Sequence, residues 1–289
     1  MNGLLLVALG VAERGILFSL IVLSLYVASR VMKVDDLSLE GSFSFGAALS
    51  AQSLLWGINP FISLGVAVLG GSLVGLVTAA INSVFSLPLL ISGLVVTSAL
   101  YSVVLGMVGA NISLIGVRTC FAIKPVFGVV QQLVLIAFCI TLVFGLVRYL
   151  VHASGVGLLL RATGANPNLV VSLGRRAWLY KTIALVISNA ITAFAGALYV
   201  QHVGYFSIWM NVGILVVALT GLMIAELFSF RTALVHLVAG SVVYQALLAV
   251  VYECDIDPQW SKLLTAFLVL AIAAIKLVHH RALVSSKGE

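Results

Sequence analysis

The chain has 289 residues, of which 62% are hydrophobic and only 8% are charged, and its formal net charge is +6. Because a soluble domain carries about a quarter of charged residues, this composition excludes a soluble globular protein. The basic residues stand between apolar segments and at the C-terminus, where they orient a chain in a bilayer, so they do not indicate nucleic-acid binding. We expect an all-α, polytopic transmembrane helical bundle that forms a single domain over residues 1–289.

Apolar segments of nearly membrane-spanning length recur along the whole chain. A span needs about 20 apolar residues, and about nine segments meet this need, within a range of about eight to ten. The first apolar run continues into a full-length segment, which favours a retained span over a cleaved signal peptide. For residues 209–228 the sequence leaves open a tilted span or a partly re-entrant helix. The predicted spans are 16–32, 41–56, 62–84, 89–108, 126–147, 182–203, 212–228, 232–251 and 263–278.

Polar residues are few within these segments. Asp35, Asp36 and Glu40 precede the second span, where we favour acids at a helix N-terminus with Asp36 or Ser38 as cap over a functional acidic box. Gly71 and the glycine four residues later form a GxxxG pair, which predicts close helix packing in the third span.

Four side chains are candidates for a pathway or gate. Asparagines inside spans are more often glue between helices than substrate ligands, and an acid at the end of an apolar segment is costly if it is buried. A pair between Glu226 and Arg231 is the alternative to a gate. The four candidates are Ser42, Asn82, Asn189 and Glu226.

Carboxylates are missing from most of the chain, since no Asp or Glu lies between Glu40 and Glu226. Membrane proton relays use buried Asp, Glu or His, and hydrolytic or metal chemistry needs carboxylates or clustered His and Cys. We therefore expect neither an enzyme nor a metal site. Cys120, Cys139 and Cys254 have no metal-binding spacing, and a disulfide between the first and the third is left open.

Residues 154–181 form the longest polar interruption, with four basic residues and no acid. Loops of this kind face the cytoplasm, which places the N-terminus outside and the C-terminus inside. Gly155 and Gly157 are expected to break the preceding span. Short helices are then predicted to begin within 158–162 and to run over 167–173, ending at Gly174. Two surface helices suit docking to a soluble partner better than chemistry.

Two stretches resemble a known family. The first is VDDLSLEGSFSFGAALSA at 34–51, and the second is LLRATGANPNLVVSLG with its continuation over 159–227. Both are similar to the membrane permeases of ABC importers of the branched-chain amino acid and ribose type. The closest similarity is to the subgroup that accompanies binding proteins for tryptophan, tyrosine or other amino acids. Val171 stands where the family segment often has Ala, and the residues after Glu226 lack the Gly-rich turn of the sugar permeases.

The resemblance implies a permease subunit in the bacterial cytoplasmic (inner) membrane that translocates a small organic solute, an amino acid first. Its implied partners are a cytoplasmic ATP-binding cassette ATPase, an extracytoplasmic substrate-binding protein and a second permease copy. The chain lacks GxxxxGK[ST], so ATP is expected on the partner ATPase and no cofactor in this chain. The implied ATPase-coupling residues are Arg161, Ala162, Thr163, Gly164, Asn166, Pro167, Asn168 and Gly174.

Two other classes remain as alternatives. An ion- or proton-coupled secondary transporter of a small solute needs coupling acids within the spans, and the sequence has few. An intramembrane protease needs a nucleophile and a base on facing helices, and no GxSx motif with such a base is visible.

Overall fold

The computed structural model describes residues 3–121, 128–228, 234–253, 260, 263 and 265–274. The regular elements, in chain order, are α1 (Gly3–Tyr26), a π-helical turn (Val27–Val31), α2 (Ser38–Leu55), α3 (Pro60–Val84), α4 (Leu89–Val108), β1 (Asn111–Ser113), α5 (Gly128–Arg148), a second π-helical turn (Tyr149–Ala153), α6 (Gly155–Ala165), α7 (Pro167–Ser172), α8 (Ala177–Val203), β2 (Tyr205–Ser207), a 3-10 turn (Ile208–Asn211), α9 (Ile214–Phe228) and α10 (Leu234–Glu253). A short apolar helix covers Thr265–Ala274.

Among the described residues, seven helical segments are long and apolar enough to cross a membrane. The expected polytopic helical bundle is therefore confirmed. The count of about nine spans and the placement of the N-terminus outside and the C-terminus inside stay predictions. The seven segments are Val7–Val31, Pro60–Val84, Leu89–Val108, Gln132–Ala153, Ala177–Val203, Ile208–Phe228 and Leu234–Val251.

The first helix starts earlier than the sequence predicted. We expected a span over 16–32 entered through Glu13 and Arg14, but α1 is continuous from Gly3. Glutamate and arginine are good helix formers, and an apolar run precedes them, so this charged pair does not end the helix. Glu13 is itself buried within α1.

The contacts divide the chain into two compact units, Leu23–Leu215 and the combination of Met1–Val22 with Val216–Glu289. We call the first the central unit and the second the terminal unit. The prediction of a single domain over residues 1–289 stays a prediction.

In the central unit, α2 is the innermost helix, and it packs against α3, α4 and α8. Small residues along α2 bring the backbones together. A Cβ added at Gly46 would overlap the Ala193 carbonyl oxygen of α8, and a Cβ at Gly196 of α8 would overlap the Phe43 carbonyl oxygen. Without water to drive apolar surfaces together, close backbone packing is a main source of helix association in a bilayer.

The glycines of α3 serve the same packing, as the sequence predicted. A Cβ at Gly71 would stand 2.5 Å from the Asn189 carbonyl oxygen, and a Cβ at Gly75 would stand 2.5 Å from the Leu185 carbonyl oxygen. The GxxxG pair therefore seats α3 on α8, and its role as a packing motif is confirmed.

An extended segment follows α8 and returns along α2. Strand β2 pairs antiparallel with β1, with Asn111 opposite Ser207. The buried side chain of Phe206 packs in a cluster with Ala47 and other small residues of α2. The segment ends where the amide of Gly213 donates to Glu40 Oε1 at 2.9 Å. The extended strand is followed by the 3-10 turn over Ile208–Asn211, and α9 begins only at Ile214.

The terminal unit is built from the first part of α1 together with α9, α10 and the short helix over Thr265–Ala274. Ser241 Oγ of α10 donates to the Gly15 carbonyl oxygen of α1 at 2.7 Å. A Cβ at Gly240 would overlap the Gly221 carbonyl oxygen of α9. Close backbone contacts therefore hold this unit together as well.

We predict that Gly46→Ala and Gly196→Ala each lower the melting temperature of the purified protein, because each methyl group would meet a backbone carbonyl. The loss should be about 1–3 kcal/mol. Gly65→Ala in α3 is the matched control, since no atom lies within 4 Å of its added Cβ. An unchanged melting temperature for Gly46→Ala, measured beside the control, would contradict this packing.

Candidate coupling surface and buried polar core

Helices α6 and α7 form the predicted pair of short helices. Ser154 Oγ accepts from the Gly157 amide at 3.0 Å and caps α6. Asn166 Oδ1 accepts from the Asn168 amide at 3.0 Å and caps α7, whose first residue is Pro167. Each cap satisfies a backbone donor that the helix itself leaves free. The sequence therefore fixes both helix starts with its own side chains.

The predicted break at Gly155 and Gly157 is wrong. Both glycines lie inside α6, which starts at Gly155 rather than within 158–162. The chain breaks at Ser154, whose backbone is extended with φ −92° and ψ 153°. The predicted end of α7 is confirmed, since Gly174 has φ +72°, a conformation that favours glycine.

Helix α6 is seated on the two π-helical turns of the central unit. A Cβ at Gly157 would overlap the carbonyl oxygens of Leu150 and Val151 in the second turn. A Cβ at Gly164 would overlap the Val31 carbonyl oxygen in the first turn. π-Helical turns are rare overall, and those that occur are often found at functional sites. Two of them lie under one surface helix here, which marks this region as a candidate functional site.

The eight predicted coupling residues divide by exposure. Thr163 is 1% exposed, and its Oγ1 donates to the Leu159 carbonyl oxygen within α6, so this side chain faces inward. Ala162 and Gly164 are half-buried. The remaining five are exposed and available to a partner: Arg161, Asn166, Pro167, Asn168 and Gly174.

Exposed apolar side chains stand among these residues and were not predicted as part of the surface. Leu169 and Leu173 are 52% and 65% exposed, and Leu158 of α6 is 62% exposed. Three exposed arginines accompany them, Arg161 with the pair that follows Gly174, and no acid occurs in residues 154–181. We call the exposed residues of 156–178 the coupling surface. Its exposed leucine side chains are apolar, and the arginine side chains around them are positively charged.

A buried polar network joins the start of α2 to the middle of α8. Asn189 Nδ2 donates to Asp36 Oδ2 at 2.9 Å, and Ser42 Oγ donates to Asn189 Oδ1 at 2.5 Å. The Ser38 amide donates to Asp36 Oδ1 at 2.8 Å, so Asp36 satisfies the first backbone donor of α2, although the residue at the cap position is Leu37. Ser42 and Asn189 are both 0% exposed and hydrogen-bonded, so they join α2 to α8 in this conformation. Their place in a pathway stays a prediction.

Burial governs the carboxyl group of Asp36, which is only 3% exposed. It raises the pKa of Asp36 above its ordinary value of 3.8, and hydrogen bonds from Ser38 and Asn189 oppose this rise. The charged form is thus penalised by lost solvation, and the network compensates for part of that penalty.

A second buried network was missed by the sequence analysis. Gln201 Oε1 accepts from the Cys120 amide at 3.0 Å. Gln201 Nε2 lies 2.9 Å from Ser63 Oγ, 3.1 Å from Ser50 Oγ and 3.2 Å from the Pro60 carbonyl oxygen. It ties α8 to α2, α3 and the loop after β1. The hydroxyl residues of α2 were noted in the sequence, but nothing local paired them with Gln201.

The remaining candidates lie apart from these networks. Asn82 Nδ2 donates to the Leu87 carbonyl oxygen and joins the end of α3 to the chain before α4. Glu226 is a half-buried residue of α9, while Arg231, its proposed partner, lies outside the described residues. Burial raises the pKa of the Cys120 thiol to about 11, so it stays protonated at neutral pH. The open disulfide involves Cys254, which is also outside the described residues.

In the part of the chain that the structure describes, seven apolar helices of spanning length indicate a multi-pass membrane protein. Residues 7–273 match the family described as the permease component of branched-chain amino acid transport systems. The chain belongs to this family, so it is a membrane component of a transport system, and the expected resemblance is confirmed.

Two curated relatives extend over nearly the whole chain. The tyrosine transport system permease protein of Clostridioides difficile (strain R20291) is 28% identical over 271 residues, covering 92% of this chain and 90% of the relative. An uncharacterized protein of Rickettsia prowazekii (strain Madrid E) is 29% identical over 275 residues, covering 91% and 96%. No solved structure matches the chain.

Asn189→Ala should destabilise the protein, because it leaves buried polar atoms of Asp36 and Ser42 without their partner. We expect a loss of about 1–3 kcal/mol, measured as a lower melting temperature in detergent. Asn168→Ala is the control, since this asparagine is exposed. Equal melting temperatures for the two variants would contradict the proposed contribution of the network.

The contribution of Asp36 should depend on pH. Its folded-state pKa is raised, so the folded protein binds this proton more tightly than the unfolded chain does. The resulting stability is full below the ordinary value of 3.8 and is lost as pH rises through the folded pKa. The stability of wild type relative to Asp36→Asn should therefore fall as the pH rises above the ordinary value of 3.8. Thermal melts over this range check the sign, and a rising difference would contradict it.

Proposed function

We propose that the chain is the membrane-spanning subunit of an ATP-driven importer and that the coupling surface receives a separate ATPase subunit. The observation that carries the proposal is the coupling surface itself. The exposed leucines stand on two short helices whose N-termini are capped. A groove of a soluble partner can bind apolar side chains presented in this way. The surrounding arginines favour a partner whose groove is rimmed with acidic side chains.

The seating of α6 gives this surface a mechanical role. The backbones of α6 and of the two π-helical turns are in direct contact at Gly157 and Gly164. These turns continue α1 and α5, and α7 leads into α8 after four residues. Displacement of α6 by a closing ATPase dimer is therefore passed to the ends of these helices as a rigid-body movement. No chemical step in this chain is needed.

The remaining parts of the proposal follow from the family. The solute is a small organic molecule, with an amino acid first, since the family and one curated relative are named for amino-acid transport. A binding protein delivers the solute from outside, and two copies of this chain form the path. The basic residues of the coupling surface support a cytoplasmic position for it, and membership of the family supports a bacterial cytoplasmic membrane.

The test is co-purification of the full chain with a candidate ATP-binding cassette ATPase. Leu169→Glu should reduce ATPase binding at least about tenfold, because a charge would enter an apolar contact. Ile115→Glu is the matched control, since Ile115 is 90% exposed and belongs to the loop after β1. Gly164 is a poor probe, because any side chain there would displace α6.

If Leu169→Glu and Ile115→Glu bind the ATPase as wild type does, the coupling surface is not the docking site. If no ATPase binds the intact chain, the importer proposal fails. Melting temperatures of both variants exclude misfolding as the cause of a loss.

A further inference from the structure

Helix α5 presents an apolar face that the rest of the described chain leaves exposed. Its large side chains recur every four residues, so they follow one side of the helix. Each is more than half exposed: Val134, Phe138, Leu142 and Leu146. The segment Gln132–Ala153 is long and apolar enough to cross a membrane, so this face lies at the depth of the lipid chains. Lipid or another protein must cover it.

A glycine at the centre of this face has no explanation within the chain. Gly145 lies between Leu142 and Leu146 and is itself exposed. No atom of the described residues lies within 4 Å of a Cβ added there, and its φ is not positive. Glycine weakens a helix interior relative to alanine, and here neither close packing nor a turn requires it. It leaves a notch in the apolar face.

Three basic side chains stand where this face ends. Arg148 and His152 are one helical turn apart, and both are exposed. Arg161 of α6 joins them, since it and Arg148 both act electrostatically on His152. The Nε atom of Arg161 donates to the Gly157 carbonyl oxygen at 3.4 Å, which turns the side chain back toward the start of α6. We call Arg148, His152 and Arg161 the basic cluster. No Asp or Glu occurs in α5, the second π-helical turn or α6 to neutralise it.

Two ordinary roles of basic residues explain only part of this arrangement. Arg148 and His152 end a helix, where the helix dipole favours cations, and basic residues orient a chain in a bilayer. Neither role requires a third cation from another helix at a distance where like charges repel. Neither role explains Gly145. An anion among the three groups would remove the repulsion.

The apolar face and the basic cluster together have the length of one lipid leaflet. At 1.5 Å per residue, Phe138 lies roughly 15 Å from Arg148 along the helix. The hydrocarbon core of a bilayer is about 30 Å thick, so half of it has the same length. A phospholipid whose phosphate lies at the basic cluster can therefore lay an acyl chain along the face and into the notch at Gly145. The Tyr149 side chain, 62% exposed beside the cluster, suits the polar boundary of the bilayer.

Other occupants fit the two features less well. A second copy of the chain, related by a two-fold axis across the membrane, would bring its own basic cluster to the same depth, where the cations repel. A soluble ATPase can supply an acidic side chain to the cluster, but it does not cover a face inside the membrane. A free phosphate ion would leave the apolar face and its notch unexplained.

We propose that α5 and α6 bind an anionic glycerophospholipid. Its phosphate group pairs with the basic cluster, and one acyl chain occupies the notch at Gly145. A zwitterionic lipid also carries a cationic group, for which these elements offer no acid, so it binds more weakly. The site lies within the central unit and adjoins the coupling surface through Arg161. It does not depend on the proposed importer role, since the chain alone binds the lipid.

The test is native mass spectrometry of the delipidated full chain in detergent. Phosphatidylglycerol and phosphatidylcholine with the same acyl chains are titrated separately. Phosphatidylglycerol should bind at least about tenfold more tightly, because each basic residue near an anionic headgroup contributes about a fivefold factor. The difference should shrink as the ionic strength rises, because salt screens exposed charges.

One variant and its control assign the charges. Arg148→Gln should weaken phosphatidylglycerol binding about fivefold and bring it closer to that of phosphatidylcholine. Arg118→Gln is the matched control, since Arg118 is also exposed but belongs to the loop after β1, and it should leave binding unchanged.

A second variant tests the notch. Gly145→Leu should fill the notch and weaken phosphatidylglycerol binding to a similar extent. Gly65→Leu in α3 is the matched control, because Gly65 is also exposed and has no described atom within 4 Å of its added Cβ. Melting temperatures exclude misfolding, and if Arg148→Gln does not fold, Gly145→Leu decides the question.

Equal affinity for the two lipids would overturn the proposal, as would unchanged lipid binding in Arg148→Gln. Inorganic phosphate that displaces phosphatidylglycerol at equal concentration would make the cluster a site for free phosphate. A Gly145→Leu variant that changes the oligomeric state and keeps its lipid would assign the face to a second copy. Any of these results leaves the importer standing, because ATPase binding is measured separately with Leu169→Glu.

Discussion

The backbone contact between α2 and α8 is the constraint on which the central unit depends. Gly46 and Gly196 remove the side chains that would separate the two helices, and each backbone then approaches a carbonyl group of the other. This approach aligns Asn189 with Asp36 and Ser42. A shift of one helical turn would separate these groups and leave them buried without partners, which adds a further cost to the lost packing. Close packing and polar pairing therefore enforce the same register.

Irregular backbone occurs in this unit where other groups satisfy it. The extended segment after α8 pairs with β1, and the Ile208 amide donates to the Ala110 carbonyl oxygen at 2.9 Å. Glu40 accepts from the amide at the end of the segment. Non-helical backbone at membrane depth is tolerated only under this condition. The π-helical turns are also covered by other backbone, because their carbonyl groups lie close to glycines of α6.

The sequence predicted those features that depend on local chemistry. Apolar length predicted the spans of α3 and α4. Asn166 with Pro167 predicted the start of α7, and small residues four apart predicted the glycine pair of α3. It failed where the outcome depends on distant residues. The role of Gln201 depends on residues of three other elements. Gly164 belongs to the predicted coupling segment, yet its contact with the Val31 carbonyl group, over 130 positions earlier, explains the glycine.

The most direct measurement is uptake of L-tyrosine into proteoliposomes that contain this chain, a candidate ATPase and a candidate binding protein. The account predicts uptake only when ATP is present on the side of the coupling surface, unaffected by a protonophore or by the absence of a sodium gradient. Uptake that proceeds without ATP and follows an ion gradient would contradict it, and the chain would then be a secondary transporter.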